Sequence, residues 1–516
     1  MTVPSRIVVL LLALCGVAVL LFATAAGIGL TPDSSAYIAA GRGLLNGFGL
    51  GSLSADGHFR PLVVYAPLFP GLLAAIGLLG IDPLDGARWL NSVLFAANIV
   101  LAALIIERDT RSAWSAMVGA LLLLVAVPLL KVHSMAWSEP TFVFFSLLAL
   151  LWLSQYARHG GGRSLIAAAV AVGLGVLARY AGLSLVGAGI AVVLATRRAL
   201  RPTLRDCGIF AVISGLLSSV WPGRNWMVAG RLSGRPPVFH PLRLAHLQGG
   251  LQVVAGWLRL GGGPRRLALS VVAIGALALV LRYAMKRLHD APRLADVGTR
   301  SDASSAVART ALIFVTVYNL FVLVTISFVD ASMCFDSRIL SPVLAWALIG
   351  GVCGAYRVTI DSDRRQRTVL LVAIAGAWFA VAQLRQLVPW VTDVHRNGQG
   401  YASTAWHESE ILARVRALPA TTRIFSNGDD AIYLLTGRLA DRIPEWVSPT
   451  TTAANDHYAA ELARLRTQLT DSHGVVVYFS RIDWRPNLVS AAELHDRMNL
   501  QTLYAAGDGS VFTIQE

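Results

Sequence analysis

The chain contains 516 residues, of which 55% are hydrophobic and 14% are charged, and its mean hydropathy is +0.59. This composition excludes an ordinary soluble globular protein, because such a fold could not bury that much apolar side chain. The formal net charge of +14 does not indicate a nucleic-acid partner, since Lys and Arg lie in short clusters between apolar runs, the pattern that orients a multi-pass protein in a cell membrane.

The first apolar run follows Arg6 and extends from Ile7 to Leu30. It is long enough to cross a bilayer at about 1.5 Å per residue. We therefore expect a retained first helix; a signal peptide cleaved near the "ATA" of residues 23–25 is the alternative. In either case Asp33, the first acidic residue of the chain, is predicted to lie outside the cytoplasm.

The stretch that follows Asp33 has the pattern of an amphipathic helix. Between Tyr37 and Phe48 the apolar residues recur at helical spacing, with polar residues off that stripe. Such a helix is expected to lie in the plane of the membrane interface. Asp33 would be its N-terminal residue, and the simplest role for that side chain is to cap the helix.

About eleven segments are predicted to span the membrane, since each approaches the required length of apolar sequence. They are Ile7–Leu30, Arg88–Ile106, Ala113–Leu130, Pro140–Tyr156, Leu165–Leu177, Leu183–Leu194, Cys207–Trp221, Leu267–Leu281, Ala311–Phe328, Ile339–Tyr356 and Val369–Leu387. The apolar segment Tyr65–Ile81 is short and contains Pro67 and Pro70. Counting it as re-entrant or interfacial places five basic clusters inside, whereas counting it as a span places them outside. The first interpretation is favoured, with the N terminus inside and the C terminus outside.

This topology predicts one extracytoplasmic face. The segments assigned to it are Thr31–Asp85, Lys131–Glu139, Leu177–Gly182, Gly223–Arg266 and Asp330–Arg338. Residues 293–309, rich in Ser, Ala and charges, are expected to form a flexible cytoplasmic loop.

After Leu387 the sequence changes to alternating strand and helix patterns, which end in a hairpin. We predict a membrane domain at 1–388, with a re-entrant or interfacial segment at 31–85, and a small extracytoplasmic α/β domain at 389–516. Asp429 and Asp430 of the second domain are predicted to cap a helix.

Two carboxylates and a set of cations come to the predicted outer face. Glu139, in "WSEP", begins a membrane helix, and its simplest role is a favourable interaction with the helix dipole, with Ser138 as cap. With Asp33 and Tyr65 it could instead form a site for general-base chemistry on a hydroxyl group. The basic residues and the neighbouring amide on this face are Arg42, Lys131, His133, Arg179, Arg224, Asn225 and Arg338. Each alone suits a snorkelling interfacial side chain, but together they could bind a phosphate at headgroup depth.

The order of these motifs resembles a known class of membrane enzyme. The stretches are "TPDSSAYIAAGRGLLNGFGL", "YAPLFPGLLAAIGLLGIDPLDGARWLNSVLFAANIVLAALI", "MAWSEPTFVFFSLLALLWL", "LARYAGLSLV" and "DSRILSPVLAWAL". They are similar to the integral-membrane glycosyltransferases of the GT-C class, particularly the branch that is like protein mannosyltransferases and aminoarabinose transferases. "LPATTRIFSNGDDAIYLLTGRLADRIP" also resembles the outer domain that often follows.

The resemblance implies a GT-C-like polytopic α-helical fold and the inverting transfer of one sugar from a polyprenyl-phosphate donor. The acceptor would be a lipid, glycan or protein at the extracytoplasmic face. Asp33 would be the catalytic aspartate of the first loop, and Glu139 the acidic residue of the second outer loop. Arg338 would engage the donor phosphate. In the aminoarabinose-transferase branch a basic residue often precedes the paired prolines. Here, in "VVYAPLFP", Tyr65 and Ala66 stand in that place. Arg42 or Arg179 would therefore have to supply the missing phosphate contact.

The remaining candidates are substrate contacts and a cofactor. Tyr65, His133, Arg224 and Asn225 are predicted to bind substrate, and a divalent cation held by oxygen ligands such as Glu139 is an open possibility.

A polytopic transporter or lipid flippase is the alternative function, since it also needs many helices and a few intramembrane charges. Charges that cluster at one face and the lack of paired broken helices count against it. A non-catalytic scaffold would leave the outer-face cluster without a role.

Overall fold

The computed structural model describes residues 3–196, 199–258, 305–360, 362 and 364–515. Its membrane part consists of α-helices that we number in chain order. They are α1 (Val3–Ala23), α2 (Pro32–Leu45), α3 (Leu68–Gly77), α4 (Pro83–Thr110), α5 (Ala113–Val125), α6 (Val127–His133), α7 (Glu139–His159), α8 (Gly162–Ala178), α9 (Leu183–Leu194), α10 (Leu200–Ala229), α11 (Leu244–Leu258), α12 (Ala306–Phe328), α13 (Ser341–Ile360) and α14 (Arg365–Asn397).

These helices confirm the predicted polytopic fold. Seven of the described helices are long and apolar enough to cross a membrane, and α5 with α6, bent by 61°, forms an eighth candidate. Every predicted span within the described residues coincides with a helix. The predicted span Leu267–Leu281 and most of the predicted loop 293–309 lie outside the described residues. Part of the segment 223–266, predicted to be a loop, is helical, because α10 continues to Ala229 and α11 follows it.

The first helix ends earlier than predicted. α1 stops at Ala23, residues 24–26 form a turn, and Gly29 and Leu30 then pair with distant parts of the chain before α2 begins. Gly29 forms two backbone hydrogen bonds with the loop before α7, and Leu30 pairs with Gly400 near the end of α14. A β-carbon at Gly29 would lie 2.2 Å from the sulfur of Met135, so this approach requires a glycine. The predicted helix to Leu30 was wrong because these long-range backbone pairings replace its last turns.

The segment between α1 and α4 forms a layer over one end of the helix bundle. After α2, strands β1 (Gly51–Leu53) and β2 (Phe59–Pro61) form an antiparallel pair, and the ten-residue α3 follows. At about 15 Å, α3 is too short to cross a bilayer. This length agrees with the re-entrant or interfacial segment that the charge pattern predicted.

The C-terminal part is a small α/β unit, which confirms the predicted fold class. α14 continues past the predicted domain boundary to Asn397. The later elements are α15 (Thr404–His407), α16 (Glu410–Ala417), β3 (Ile424–Ser426), α17 (Asp429–Thr436), β4 (Asp441–Arg442), α18 (Tyr458–Ser472), β5 (Val475–Phe479), α19 (Ala491–Met498), β6 (Leu500–Ala506) and β7 (Gly509–Ile514). The sheet order is β4-β3-β5-β7-β6; β3 runs parallel to β4 and β5, and β7 is antiparallel to β5 and β6.

The C-terminal unit packs directly on the layer that covers the bundle. One apolar cluster fills the helix bundle, and a second joins the two parts of the chain. The second cluster includes Ile28, Tyr37 and Phe69 from the covering layer, and Trp406 and Phe479 from the C-terminal unit. Because this core is shared, the C-terminal sheet lies close to the loop that carries Asp33.

Candidate active site

Asp33 lies in the first turn of α2, but it does not cap that helix as its simplest interpretation predicted. Thr31 is the N-cap residue and forms a capping box with Ser34, while Pro32 occupies the first helical position. The Asp33 carboxylate is therefore free for other contacts. Its Oδ1 accepts a hydrogen bond from the Tyr65 hydroxyl at 2.7 Å, and its Oδ2 accepts one from Arg338 at 2.5 Å.

Glu139 begins α7 and is almost completely buried, with 2% of its side chain exposed. Its Oε2 lies 2.7 Å from Nη1 of Arg179, at the end of α8. Its Oε1 accepts a hydrogen bond from Nε of Arg338. A favourable helix dipole therefore accounts for only part of its environment, because two guanidinium groups neutralise the buried charge.

Arg338 joins the two carboxylates. It lies between α12 and α13, and its guanidinium group donates to both Asp33 and Glu139. The guanidinium carbon also lies 4.0 Å from the ring centroid of Trp137, a cation–π contact. The Trp137 indole in turn donates to Thr31 Oγ1 at 2.7 Å. Three segments far apart in sequence are thus fixed around one guanidinium group.

The electrostatics of the cluster keep Asp33 ionised. Burial raises the pKa of Asp33, but the charge of Arg338 and the hydrogen bonds from Tyr65 and Arg338 outweigh it and hold that pKa below its ordinary value. Burial, and then the charge of Asp33, raise the pKa of the Tyr65 hydroxyl well above its ordinary value. Tyr65 therefore acts as a neutral donor to a carboxylate that is ready to accept a proton.

Arg224 and Asn225, which the sequence predicted as substrate contacts, hold the covering layer in place. Arg224 donates to the carbonyl oxygens of Leu50 and Leu62, and its guanidinium lies over the ring of Trp221. The Asn225 side chain is fully buried and donates to Val63 O and the Tyr180 hydroxyl. Both side chains thus orient the backbone that leads into Tyr65, and their contact with substrate stays a prediction.

Three other predicted site residues have contacts outside the cluster. Arg42 forms a bidentate ion pair with Asp82, outside the cluster of Asp33, Glu139 and Arg338. His133 is 2% exposed, and its ring nitrogens bond to Asn98 and to Leu129 O, which is the environment of a core histidine. Lys131 is exposed on α6. Of the predicted cations, Arg179 and Arg338 are those that reach the two carboxylates.

Sequence reasoning missed three side chains of the cluster, namely Tyr37, Trp137 and Ser138. The Tyr37 hydroxyl is 3.0 Å from Ser138 Oγ, which also accepts a hydrogen bond from Arg179 at 3.2 Å. Burial raises the pKa of Tyr37 to about 12, so its hydroxyl stays protonated. The available signals were the spacing of four residues between Asp33 and Tyr37, which places both on one helix face, and the position of Trp137 and Ser138 beside Glu139.

A cavity of about 460 Å³ opens beside Asp33 and Arg338. It is lined by the segment from Leu30 to Asp33, which leads into α2, and by aromatic residues of the C-terminal unit. The aromatic residues are Tyr401, Trp406 and Trp484. The C-terminal unit therefore contributes directly to the surroundings of Asp33.

Asp429 and Asp430 have roles other than the predicted helix cap. Gly428 occupies the N-cap position of α17. Asp429 pairs with Arg442, and the largely buried Asp430 pairs with Arg485 and accepts from the Tyr401 hydroxyl. These ion pairs stabilise the edge of the C-terminal sheet that faces the cavity.

The carboxylates do not have the surroundings of a resident metal site. Among the residues that the structure describes, no group of three or more His, Cys, Asp or Glu side chains could hold a metal ion. Asp33 and Glu139 both accept from Arg338, which already neutralises their charge. Two carboxylates that share a guanidinium group do not fit a resident divalent cation, which needs several free oxygen ligands.

Part of the chain matches a known protein family. Residues 78–214 match the model of the family described as dolichyl-phosphate-mannose-protein mannosyltransferase. No curated protein sequence matches the chain significantly. The matched region begins at the end of α3 and includes Glu139 and Arg179, whereas Asp33 and Arg338 lie outside it.

Several solved structures share the architecture of the whole chain. ArnT from Cupriavidus metallidurans bound to undecaprenyl phosphate superposes with a TM-score of 0.60 at 13% sequence identity, covering 98% of this chain and 97% of that one. The archaeal oligosaccharyltransferase AglB from Archaeoglobus fulgidus gives a TM-score of 0.50 at 13% identity, over 92% of this chain and 69% of that one. The mycobacterial arabinofuranosyltransferase AftD gives 0.53 at 14% identity, over 98% of this chain and 40% of that one. At these identities the likeness establishes the fold.

Proposed function

We propose that this membrane protein, a GT-C-type glycosyltransferase by its fold and its family-model match, moves a single sugar from a polyprenyl-phosphate donor to an acceptor hydroxyl. The reaction would take place on the extracytoplasmic side of the cell membrane and invert the anomeric configuration. The acceptor would be a lipid, a glycan or a protein. The side of the membrane follows from the basic clusters, which the positive-inside rule assigns to the cytoplasm.

One observation carries this proposal: a single guanidinium group bridges two carboxylates at the end of the helix bundle. Arg338 contacts both Asp33 and Glu139, and Arg179 approaches Glu139 from the other side. The cluster thus combines a partly exposed carboxylate, which can accept a proton, with two guanidinium groups, which can bind a phosphate in a bidentate manner. An ArnT structure of the same fold contains undecaprenyl phosphate, which supports a lipid phosphate as the donor group here.

The proposed reaction is a single displacement. The acceptor hydroxyl gives its proton to Asp33 while its oxygen forms a bond to the anomeric carbon. The bond between that carbon and the phosphate oxygen breaks, and the electron pair leaves with the polyprenyl phosphate. Attack opposite the leaving group inverts the configuration. Arg338 and Arg179 stabilise the negative charge that develops on the phosphate.

The contact between Arg338 and Asp33 links donor binding to base strength. Without donor, Arg338 holds the pKa of Asp33 below its ordinary value. A donor phosphate that accepts hydrogen bonds from Arg338 would weaken the contact of Arg338 with Asp33. The pKa of Asp33 would then rise, because the charged carboxylate loses stabilisation. Asp33 would thus become a better base when the leaving group is in place.

The test is transfer of labelled sugar by the purified full chain in lipid nanodiscs. A panel of radiolabelled polyprenyl-phosphate sugars is incubated with membrane extracts as the source of acceptor, and the label that moves identifies the donor. Asp33→Asn keeps the size of the side chain but removes the base. We expect transfer to fall by about 100-fold or more while the protein still inserts and folds.

Asp82→Asn provides the matched control. Asp82 is another aspartate on the covering layer, and it pairs with Arg42 and caps α4. Asparagine is an equally good helix cap, so this variant removes one carboxylate charge outside the cluster. It is expected to keep nearly full activity. Turnover by Asp33→Asn that matches this control would refute the base role, and a wild-type chain that moves no label would refute the transferase.

A further inference from the structure

We propose that the C-terminal unit binds a sugar ring on Trp484, in the cavity that opens at Asp33 and Arg338. The inference rests on the proposed function, since the sugar would belong to one of the two substrates of the transfer. The cavity is lined by Asp33 and Arg338 on one side and by Tyr401, Trp406 and Trp484 on the other. The reacting groups and these aromatic residues therefore line one and the same cavity.

The aromatic wall has a buried base and an exposed rim. Tyr401 and Trp406 are only 2% and 5% exposed, and their rings pack edge to face at 5.1 Å. Trp484 is 50% exposed and lies 6.3 Å from the Tyr401 ring, centroid to centroid. A half-exposed indole beside a cavity leaves a large apolar face without a partner. The C–H face of a sugar ring suits the electron-rich face of an aromatic ring.

The position of Trp484 in the sheet supports a ligand site. β3, β4 and β5 are parallel, so their carboxyl ends lie at one edge of the sheet. Asn427 and Asp430 follow β3, and Trp484 follows β5, so this edge faces the cavity. Ligands of α/β sheets commonly bind at the carboxyl ends of the strands.

The loop that carries Trp484 is held in place before any ligand arrives. Arg485 donates to Asp430 at 2.8 Å and to Asn427 O at 2.7 Å. Asp430 also accepts from the Tyr401 hydroxyl at 3.0 Å, so one buried carboxylate fixes both the loop and the base of the wall. Because the loop is already ordered, Trp484 can meet a ligand without the entropic cost of ordering that loop.

The other walls of the cavity favour a sugar over two alternative ligands. A lipid chain would have to desolvate the charged groups of Asp33 and Arg338, which is unfavourable. A cationic ligand would also suit an aromatic face, but the carboxylate that lines the cavity, Asp33, is already paired with Arg338. A sugar offers C–H groups to the rings and hydroxyl groups to the charged side chains, as binding sites for polar ligands require.

The experiment measures the kinetics of three variants of the full chain in nanodiscs, namely Trp484→Ala, Trp484→Phe and Trp446→Ala. We expect Trp484→Ala to raise the KM of one substrate about tenfold and Trp484→Phe to restore most of the affinity. Trp446 is the matched control, because it is also 50% exposed, lies in the same unit and is not among the residues that line the cavity. Trp446 also donates a hydrogen bond to Pro486 O, near Trp484. The control variant therefore shows whether disturbing the loop alone changes the KM.

The substrate whose KM rises identifies the source of the sugar. A higher KM for the acceptor, with unchanged hydrolysis of donor in the absence of acceptor, assigns the site to an acceptor glycan. A higher KM for the donor assigns it to the donor sugar. Unchanged KM values for both substrates in Trp484→Ala, or an equal effect in Trp446→Ala, would overturn the proposal.

A binding experiment keeps the two proposals separable. The wild-type chain and Trp484→Ala are applied in nanodiscs to an array of immobilised mono- and oligosaccharides and short-chain polyprenyl-phosphate sugars. If the wild-type chain transfers no sugar, the proposed function fails. Binding to the array then tests the sugar site without any measurement of activity. Binding that Trp484→Ala loses would then support the sugar site. Equal retention of both chains, or no retention of the wild-type chain, would overturn it.

Discussion

The ion pair between Arg179 and Glu139 offers a quantitative test of how the cluster is balanced. The two side chains lie 2.7 Å apart and are 18% and 2% exposed. The proposed experiment is a double-mutant cycle made of Arg179→Gln, Glu139→Gln and the combined variant. Glutamine has the size of glutamate, whereas Arg179→Gln shortens the side chain and also removes its hydrogen bond to Ser138. The cycle cancels these effects of each single substitution and leaves the coupling between the two charges.

The expected magnitude follows from the charges of the cluster. Asp33 and Glu139 balance Arg179 and Arg338, so either single substitution leaves one charge without compensation. Removing one partner of a buried ion pair costs about 3–5 kcal/mol. The remaining exposure of Arg179 favours the lower end, about 3 kcal/mol. The combined variant is again neutral, so we expect it to cost about as much as one single substitution, not about 6 kcal/mol.

The free energy of unfolding can be measured by titrating each variant with SDS in mixed micelles. A matched cycle on Arg42 and Asp82, whose side chains are 28% and 44% exposed, should show a coupling of only about 1 kcal/mol or less. Additive effects of Arg179→Gln and Glu139→Gln, within about 0.5 kcal/mol, would refute the claim that the pair compensates one buried charge.

Two further predictions concern the reaction. Tyr65→Phe removes the hydrogen bond to Asp33, so the pKa of Asp33 rises and the acid limb of the pH profile moves to higher pH; transfer should fall about tenfold at acidic pH and stay unchanged near neutrality. An unmoved acid limb would contradict this coupling. A chelator is expected to leave transfer intact, because Arg179 and Arg338 supply the positive charge; activity lost with EDTA and restored by Mg²⁺ would show that a cation is required.

The first part of the chain, up to Ile81, shows which features local sequence patterns predict and which they do not. The acidic residue at the end of the first apolar run, the amphipathic segment after it and the short proline-containing segment all correspond to elements of the structure. These features are local, because hydropathy and helical spacing depend on neighbouring residues. The same reasoning failed for residues 24–30, where the helix stops and the backbone of Gly29 and Leu30 bonds to loops more than one hundred residues away.

The sequence by itself determined the membrane class, the helix order and the presence of a C-terminal α/β unit. The charge pattern put Asp33, Glu139 and several cations on one face, because charged residues at the ends of apolar helices are costly and few, and the family resemblance distinguished Arg338 among those cations. Only the tertiary structure decided how those charges are paired. It assigned Arg42 to Asp82, buried His133 against Asn98, and placed Trp484 beside Asp33. Such pairings depend on which distant segments pack together, and no local spacing encodes that choice.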